Sequence, residues 1–456
     1  MCQRYDLIVI GAGPGGSTAA LEAAKFGMKT AVIEKNELGG TCLNRGCIPM
    51  KSLLHSAGIY QKIKESKKFG IQVEKAVLDI SALLKYKEEM INKLSDGMKM
   101  LLQKNKVDIF YASGKIVNAH QVAVSENGEE KIIEAERILI ASGSSAAIPP
   151  IPGIQLENVV TSYELLNRKE DLFDHLIIIG GGVIGMEFAA LYSAFEHRVT
   201  VIEAMNRVLP DMDREIGMNL KQILKKHGVD IHTSANVEKL EQIQEGKILC
   251  VYKEKEKLQH IEADGVLVAI GRKPNTEGLF GENFTVEIEK SKILVDKYYK
   301  TSCPSIYAIG DVIGGVQLAH AASSEALCAV MHMVGKEEPL DIKLIPGCVY
   351  TNPEIATVGI TASGAKEAGI EVITKKYPMM ANGKSVLTMQ ERGFMKVVAE
   401  KETEKILGAQ LMCARATDII SQFTSAIVNG MTLSQMAHVI HPHPTFSEGV
   451  WELVRE

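Results

Sequence analysis

The chain has 456 residues, of which 46% are hydrophobic, and it carries a formal net charge of −5 at pH 7. This length predicts roughly three or four domains, and the slightly acidic balance argues against nucleic acid or an anionic membrane surface as a partner. No apolar stretch is long enough to cross a bilayer, and the sequence begins almost at once with a strand rather than a signal peptide. We therefore expect a cytoplasmic protein with no membrane or nucleic-acid partner.

The first pattern along the chain is a strand, a glycine-rich turn, a helix and a second strand that ends in Glu34. In such a unit the first glycine permits a tight turn, the second lets the backbone approach a pyrophosphate, and the third lets the helix pack closely on the strand. The helix N-terminus offers N–H groups to the phosphates, and the glutamate can accept hydrogen bonds from ribose hydroxyls. The pattern predicts a dinucleotide site, and its glycines are Gly11, Gly13 and Gly16.

A close pair of cysteines, Cys42 and Cys47, follows this unit by one short segment. The other six cysteines are scattered singly, and eight in a chain of this length do not form the disulfide framework of a small secreted domain. In a reducing compartment a close pair is more typical of catalysis, in which a thiolate attacks a disulfide. The alternative interpretation is two buried cysteines that act as small hydrophobic side chains. The neighbouring dinucleotide unit favours redox chemistry.

The strand–turn–helix–strand pattern occurs a second time and ends in Glu203. In both copies the glutamate lies 23 positions after the first glycine, and two flexible loops would not explain that match. The Glu203 carboxylate suits a free ribose 2′-hydroxyl and would repel a 2′-phosphate, which favours NAD over NADP. Arg207 is the one cation that closely follows it. The glycines of this second turn are Gly180, Gly182 and Gly185.

Other segments indicate how the chain is divided. Strands that end in small-residue turns are expected at 137–144, 265–272 and 305–311, and the first two would close the two nucleotide-binding modules. The proline-rich run 149–153 predicts a stiff connector, and residues 52–106 carry apolar side chains at helical spacing. Beyond about residue 343 no further dinucleotide turn occurs, which predicts a separate α+β domain.

Near the C-terminus, His443 stands between two prolines that fix its backbone, and Glu448 follows at the expected start of a helix. A carboxylate that binds one imidazole nitrogen sets the tautomer and raises the basicity of the ring, as a general base requires. Two other interpretations stay open: a metal site formed with His438 and His441, or a structural histidine bonded to the backbone. The prolines disrupt regular ligand spacing, so we expect no metal.

Together these motifs resemble those of the flavoprotein disulfide reductases with two dinucleotide-binding domains, over essentially the whole chain. The resemblance rests on both glycine turns, the run containing Cys42 and Cys47, the pair Gly310-Asp311 and the histidine box. It implies an α/β fold with two Rossmann-like dinucleotide-binding domains and a C-terminal α+β dimerisation domain. The implied boundaries are 1–147 for the FAD-binding domain with the redox pair, 148–272 for the NAD-binding domain, 273–342 for a central domain completing the FAD site, and 343–456 for the dimerisation domain.

The resemblance also implies catalytic roles. Cys42 would exchange with the substrate, and Cys47 would contact the flavin. His443, oriented by Glu448, would be the base and would be supplied by the other subunit of a homodimer. One departure from the family is Arg45 between the cysteines, which either favours thiolate formation or simply faces solvent.

The implied cofactors are FAD and NAD. Lys51 would lie beside the flavin ring and pair with Glu187, Glu34 would hold the FAD ribose, and Asp311 would bond the ribitol. Ser142 stands where the family often has threonine, which keeps the hydroxyl. The other implied cofactor-binding residues are Glu203, the glycines of both turns, Gly114, Ser142, Gly143, Ser144, Gly271 and Gly310, with Gln317, Leu318, Ala319 and His320 under the ring.

The implied activity is the oxidation of protein-bound dihydrolipoyl groups through a Cys42–Cys47 disulfide and FAD, with NAD+ as the acceptor. The partner would be a lipoyl domain of an acyltransferase or a glycine-cleavage carrier protein, within a 2-oxoacid dehydrogenase, acetoin or glycine cleavage system. The alternative enzyme is an NADPH-dependent reductase of a small disulfide, which Glu203 disfavours. A mainly structural docking subunit would not need Cys42, Cys47 and His443 together.

Overall fold

A computed structural model of the chain describes residues 3–126, 129–169, 171–336, 340 and 342–455. Its N-terminal elements are β1 (Gln3–Ile10), α1 (Pro14–Lys25), β2 (Thr30–Glu34), α2 (Gly40–Arg45), α3 (Cys47–Glu65), α4 (Ile80–Lys104), β3 (Asp108–Tyr111), β4 (Ser113–Asn118), β5 (Gln121–Glu126), β6 (Glu129–Ile140) and β7 (Ser144–Ala146). The sheet order is β3-β2-β1-β6-β5-β4, and β1 runs parallel to β2 and β6. Because helices cover this parallel part, residues 7–10 of β1 and all of β2 are buried, and most of them are apolar.

The predicted helical stretch 52–106 consists of two helices rather than one. α3 ends at Glu65, a short 3₁₀ turn covers Ser66–Phe69, and α4 begins at Ile80 after an N-cap in which the Asp79 side chain accepts a hydrogen bond from the Ala82 N–H. Gly70, at φ 77°, lies directly after the 3₁₀ turn, where its left-handed conformation ends the helical path.

The second part of the chain repeats the parallel arrangement. Its elements are β8 (Val159–Thr161), α5 (Ser162–Asn167), β9 (His175–Ile179), α6 (Val183–Ala194), β10 (Arg198–Glu203), α7 (Arg214–Lys226), β11 (Asp230–Thr233), β12 (Ala235–Gln244), β13 (Lys247–Glu254), β14 (Lys257–Ala263), β15 (Gly265–Val268) and β16 (Arg272–Pro274). Five strands form a parallel sheet in the order β11-β10-β9-β15-β8, and β12-β13-β14 form a separate antiparallel sheet. β16 pairs with β7, so the two halves are joined by a small two-stranded ladder.

The next segment returns to the first sheet. It contains β17 (Ile288–Glu289), β18 (Lys292–Ile293), β19 (Ile306–Ala308), a 3₁₀ helix (Gly310–Ile313) and α8 (Ala319–Met333). β19 runs parallel to the end of β6, and α8 packs on α1. The turn after β19 is therefore brought beside the first glycine-rich turn.

The C-terminal part is an antiparallel sheet packed against helices. Its elements are β20 (Gly347–Val349), β21 (Glu354–Gly359), α9 (Ala362–Glu367), β22 (Val372–Pro378), α10 (Gly383–Leu387), β23 (Phe394–Glu400), β24 (Ile406–Cys413), α11 (Ala416–Val428), α12 (Leu433–Ala437) and α13 (Glu448–Arg455). The strand order is β20-β21-β24-β23-β22. Two Rossmann-like sheets and a C-terminal α+β domain confirm the fold class expected from the sequence. None of the helices in the described ranges is both long and apolar enough to cross a membrane.

Candidate active site

Both glycine-rich turns have the geometry that a dinucleotide site needs. Gly11 (φ 101°) and Gly180 (φ 111°) adopt the left-handed conformation that favours glycine. At Gly13 and Gly182, in contrast, an added Cβ would meet no atom within 4 Å, so their backbone borders open space that a pyrophosphate can enter. The third glycines of the two turns are Gly16 and Gly185. A Cβ at either position would overlap the carbonyl oxygen of the first glycine in the same turn. Both turns therefore fit the cofactors expected from the sequence.

The glutamates at the ends of β2 and β10 are held identically. Glu34 accepts hydrogen bonds from the N–H groups of Ala12 and Asn36, at 2.8 and 2.9 Å. Glu203 accepts the equivalent bonds at 2.5 and 2.6 Å, from Gly181 and Met205. Each carboxylate is buried beside its glycine turn and keeps further lone pairs that can accept from ribose hydroxyls.

A cavity of about 230 Å³ lies at the loop that follows β10. Its lining residues include Asn206, Arg207 and Met218, together with Arg214, the first residue of α7. The fold thus adds a second arginine to the one that the sequence places after Glu203. Because two guanidinium groups can attract a phosphate, the sequence argument against NADP is weaker than the single nearby arginine suggested.

The two cysteines lie at the junction of α2 and α3. Cys42 is in α2, and Cys47 is the first residue of α3, where a helix N-terminus favours negative charge. Both are free thiols joined by a hydrogen bond. That bond from Cys42 lowers the pKa of Cys47 to about 7, against the effect of burial and with help from the charge of Lys51. The same hydrogen bond is the main cause of the raised pKa of Cys42, and burial is the second cause. The pair therefore favours the thiolate at Cys47 and the protonated thiol at Cys42.

Lys51, one turn after Cys47 in α3, joins three parts of the fold. Its Nζ donates to both carboxylate oxygens of Glu187 on α6, at 2.8 and 3.0 Å. The buried Glu187 also accepts a hydrogen bond from the N–H of Tyr350 at 3.0 Å. The Tyr350 ring centroid lies 4.6 Å from the Lys51 Nζ, which is cation–π geometry. The structure thus brings together the predicted pair and adds an aromatic residue that follows β20.

Ser144, Arg272 and Asp311 form a network where β7, β16 and the 3₁₀ helix meet. The Arg272 Nε donates to the Ser144 hydroxyl at 2.7 Å, its Nη2 donates to the Ser144 carbonyl at 2.6 Å, and its Nε lies 3.6 Å from the Asp311 carboxylate. The Ser144 hydroxyl donates to Asp311. Burial lowers the pKa of Arg272, while the Asp311 carboxylate and the Cys47 thiolate oppose that effect. The predicted ribitol ligand is therefore held by a serine and a partly buried arginine.

The buried carboxyl group of Glu325 supports the turn that carries Asp311. Glu325 on α8 accepts a hydrogen bond from the Gly310 N–H at 2.6 Å. Burial raises the pKa of Glu325 to about 7; the Gly310 N–H opposes this shift, and the Asp311 charge adds to it. The contact ties α8 to the start of the 3₁₀ helix.

The residues predicted to lie under the flavin ring lead into α8. Gln317 precedes Leu318, which is the N-cap residue, and Ala319 is the first helical residue. The His320 Nε2 lies 2.7 Å from the carbonyl oxygen of Pro346, just before β20. This hydrogen bond links the start of α8 to the C-terminal domain.

The remaining small residues predicted to bind a cofactor differ in their surroundings. The Ser142 hydroxyl donates to the carbonyl of Asn275 at 2.8 Å, and the Asn275 N–H donates to the carbonyl of Gly143 at 2.9 Å. Gly271 (φ 124°) borders open space, whereas a Cβ at Gly114 in β4 would crowd core side chains. Asn275 thus fixes the turn that follows β6.

His443 and Glu448 form the predicted pair at the C-terminus. The His443 Nδ1 lies 2.8 Å from a carboxylate oxygen of Glu448, which starts α13 and also accepts from the Thr445 N–H. Burial acts to raise the pKa of Glu448, but Thr445 and His443 lower it overall. The His443 side chain is 78% exposed. Within the described part of the chain, no hydrogen bond or ion pair joins it to either redox cysteine.

His441, the other histidine of the box, has different partners. The ring nitrogens of His441 lie 3.1 Å from the Val439 carbonyl and from the Gln422 side chain. Over the ranges that the structure describes, no group of three His, Cys, Asp or Glu side chains is placed to hold a metal ion. Arg45, the departure between the cysteines, forms an ion pair with Glu37 and lies 5.0 Å from the centre of the Tyr163 ring.

Sequence reasoning missed four residues of this site: Arg272, Asn275, Glu325 and Tyr350. Arg272 and Asn275 follow an apolar strand in a small-residue turn, and polar residues at such a strand end are a signal that could have identified them. Glu325 lies in an alanine-rich helix, and Tyr350 directly follows an apolar strand. No spacing in the sequence distinguishes them, because their partners come from distant segments.

Comparison with known proteins gives the family. Residues 5–326 match the family model described as pyridine nucleotide-disulphide oxidoreductase, and residues 345–454 match the dimerisation domain of that family. A dihydrolipoyl dehydrogenase of Bacillus subtilis is 39% identical to the chain, with 99% of this chain and 98% of the relative covered. Among solved structures, a Cu(II) complex of the HOCl-induced flavoprotein disulfide reductase RclA from Escherichia coli has a TM-score of 0.89 and 31% identity, with 99% of both chains covered. LpdA from Mycobacterium tuberculosis has a TM-score of 0.92 and 25% identity, again with 99% of both chains covered.

These matches bear out the recognition made from the motifs. The family uses FAD and NAD as cofactors, and its dimerisation domain indicates a homodimer. The protein is an oxidoreductase, and the chain belongs to the pyridine nucleotide-disulphide oxidoreductase family.

Proposed function

We propose that the protein oxidises dihydrolipoyl groups through the Cys42–Cys47 couple and passes the electrons to NAD+. The observation that carries this proposal is the asymmetric thiol pair: a Cys47 thiolate, hydrogen-bonded by Cys42 and close to Lys51. The Lys51 ammonium is in turn bound by Glu187 on α6, a helix of the second module. The similarity to dihydrolipoyl dehydrogenases supports the substrate.

The chemistry follows from the properties of the two sulfurs. His443 accepts the proton of the first substrate thiol, and the resulting thiolate attacks Sγ of Cys42 in the Cys42–Cys47 disulfide. The S–S bond breaks and Cys47 leaves as a thiolate, which the hydrogen bond and the charge of Lys51 stabilise. The second substrate thiol then attacks the substrate sulfur bound to Cys42. The oxidised lipoyl disulfide is released, and the Cys42 sulfur leaves and takes up a proton. The products on the enzyme are the Cys42 thiol and the Cys47 thiolate, which are the protonation states that the geometry favours.

Bound FAD would supply the two-electron transfer that connects the Cys47 thiolate with NAD+. The open backbone at Gly13 and Gly182 would admit the two pyrophosphates, and Glu34 and Glu203 would accept the ribose hydroxyls. The remaining predicted FAD ligand, Asp311, would bond the ribitol.

His443 would act on the redox pair of the other subunit. Its exposure and its lack of any bond to the cysteines within the described chain support this arrangement. Glu448 would hold the Nδ1–H, so that Nε2 is free to accept the substrate proton.

The remaining expectations from the sequence extend the proposal. A lipoyl domain of an acyltransferase or a glycine-cleavage carrier would present the substrate, in the cytoplasm. The domain boundaries would fall at 1–147, 148–272, 273–342 and 343–456. The pairing of β19 with β6 supports a central segment that completes the FAD site.

A second candidate is an NADPH-dependent reductase of a small disulfide. Arg207 and Arg214 line one cavity at the loop after Glu203, and two guanidinium groups there favour this candidate because they can attract a 2′-phosphate. The structural similarity to RclA, a flavoprotein disulfide reductase, is compatible with this candidate. The buried carboxylate of Glu203 opposes it.

The deciding experiment compares two assays on the purified holoenzyme: dihydrolipoamide with NAD+, and glutathione disulfide with NADPH. We expect rapid lipoyl-dependent formation of NADH, and a loss on the order of a thousandfold or more in Cys42→Ser and Cys47→Ser, because each removes a reacting sulfur. The matched control is Cys303→Ser, at a partly buried cysteine outside the site. Full activity in either redox-cysteine variant, or a clear preference for NADPH and glutathione disulfide, would refute the proposal.

A further inference from the structure

A partly buried ionic cluster joins the second module to the C-terminal domain. The Lys396 Nζ, on β23, lies 3.0 Å from the Asp213 carboxylate and 2.9 Å from the Glu215 carboxylate. Lys376, on β22, also pairs with Glu215. The Lys396 and Asp213 side chains are each only 11% exposed. We call these four residues the α7 cluster, since both carboxylates lie at the N-terminus of α7.

The charges within the α7 cluster are balanced, with two lysines against two carboxylates. Burial acts to lower the pKa of Lys396, but hydrogen bonds to Glu215 and Asp213 raise it overall, so the lysine stays charged. The Phe394 ring lies 4.6 Å from the Lys376 Nζ and 5.5 Å from the Lys396 Nζ. A buried ion pair is weak evidence for stability, because desolvation offsets most of the attraction, but it can fix one arrangement of the groups that it joins.

The part of the second module that the cluster holds is the loop between Glu203 and α7. The Asp213 side chain is the N-cap of α7 and accepts from the Glu215 N–H at 2.8 Å. Four residues earlier, the Leu209 N–H donates to the carbonyl of Gly181 in the glycine-rich turn, at 2.9 Å. Leu209 has a φ of 48°, a conformation that costs energy for a branched residue and persists only where its surroundings impose it.

Close packing connects the same loop to α7. An added Cβ at Gly217, in the first turns of α7, would overlap the carbonyl oxygen of Val208. Val208 and Leu209 are both buried. A shift of α7 would therefore be passed to the loop, to its hydrogen bond with Gly181 and to the Glu203 carboxylate, which accepts from the same glycine.

We propose that Lys396 is a positioning residue for NAD: through Asp213 it fixes the loop that shapes the adenosine side of the site around Glu203. The inference rests on the proposed NAD site in the second module. Lys396, a side chain of the C-terminal domain, would then affect the binding of NAD but not the reaction of the cysteines with dihydrolipoamide.

The test is the variant Lys396→Met in the holoenzyme, with ADP-ribose as the probe, because ADP-ribose has the ribose and pyrophosphate but no nicotinamide. By calorimetry we expect its affinity to fall on the order of fivefold, as for other residues that modulate a site without touching its ligand. KM for NAD+ should rise similarly, while KM for dihydrolipoamide and the rate of enzyme reduction by dihydrolipoamide stay unchanged. Lys396→Arg should restore most of the affinity, because it keeps the charge.

The matched control is Lys64→Met, which removes an exposed ion pair between α3 and Glu196, at the end of α6; it should leave ADP-ribose affinity unchanged. If Lys396→Met does not fold, Asp213→Asn serves instead, since asparagine still caps α7 but loses the charge. Unchanged affinity in a folded cluster variant, or an equal rise in both KM values, would overturn the inference. If the unaltered protein binds no ADP-ribose, the proposed NAD site itself fails.

Discussion

The hydrogen bond from Cys42 is the largest influence that lowers the pKa of Cys47 to about 7, from the ordinary thiol value of 9.0. Replacing Cys42 by alanine removes the donor, whereas serine keeps an O–H that can still donate to the Cys47 thiolate. A hydrogen bond to a charged group contributes about 1.5–3 kcal/mol, which corresponds to roughly one to two pH units. We therefore expect the pKa of Cys47 to rise by that amount in Cys42→Ala and by much less in Cys42→Ser.

The assay is the rate at which iodoacetamide alkylates Cys47, followed by peptide mass spectrometry across pH 5 to 10. Only the thiolate reacts, so the midpoint of the rate profile reports the pKa of Cys47. In Cys42→Ser, Cys47 should react at neutral pH. In Cys42→Ala, Cys47 should react only in alkaline solution. If both variants have the same midpoint, the Cys42 donor is not what stabilises the thiolate, and the reasoning is wrong.

The other predictions concern three residues near the same chemistry. Lys51→Met should raise the pKa of Cys47 by less than loss of the donor does, because the lysine charge is a smaller stabilising influence than the Cys42 hydrogen bond; an unchanged alkylation midpoint would contradict this. Glu448→Ala should lower kcat for dihydrolipoamide by about tenfold to a hundredfold, since His443 loses the carboxylate that orients it, and a wild-type kcat would argue against a base at this position. Arg272→Met should increase the fraction of FAD released on dialysis, because Ser144 loses its donor and Asp311 loses its ion-pair partner; equal retention of FAD would show that the network does not support the cofactor.

The sequence was sufficient for the parts of the protein whose contacts are local. Each glycine turn lies within one strand–turn–helix unit, so its spacing alone predicted that Glu34 and Glu203 end the second strand of each unit, whereas their bonds to ribose stay a prediction. The pairing of His443 with Glu448 was predictable for the same reason, as both side chains belong to one short segment. The Lys51–Glu187 pair spans distant segments and was expected only from the resemblance to a family.

The residues that sequence reasoning missed are those whose function depends on distant partners. Tyr350 meets Lys51 only because β20 ends beside α3 and α6, and Arg272 meets Asp311 only because β16 pairs with β7 and β19 rejoins the first sheet. Likewise, Arg214 lies seven positions after Arg207 but lines the same cavity, because the loop turns back before α7 begins. Such neighbours are set by the tertiary path of the chain and leave no local pattern.

The contact of Lys51 with Glu187 and Tyr350 makes the protein difficult to divide into active fragments. Each of the three residues belongs to a different portion of the polypeptide, so a fragment lacking any one portion would expose a buried carboxylate or an unsupported ammonium at its cut face. Separately expressed pieces should accordingly be poor electron carriers even if each retains its own sheet. The same arrangement limits how far the portions can swing during turnover, which favours small side-chain movements over hinge opening as the way nucleotides enter and leave.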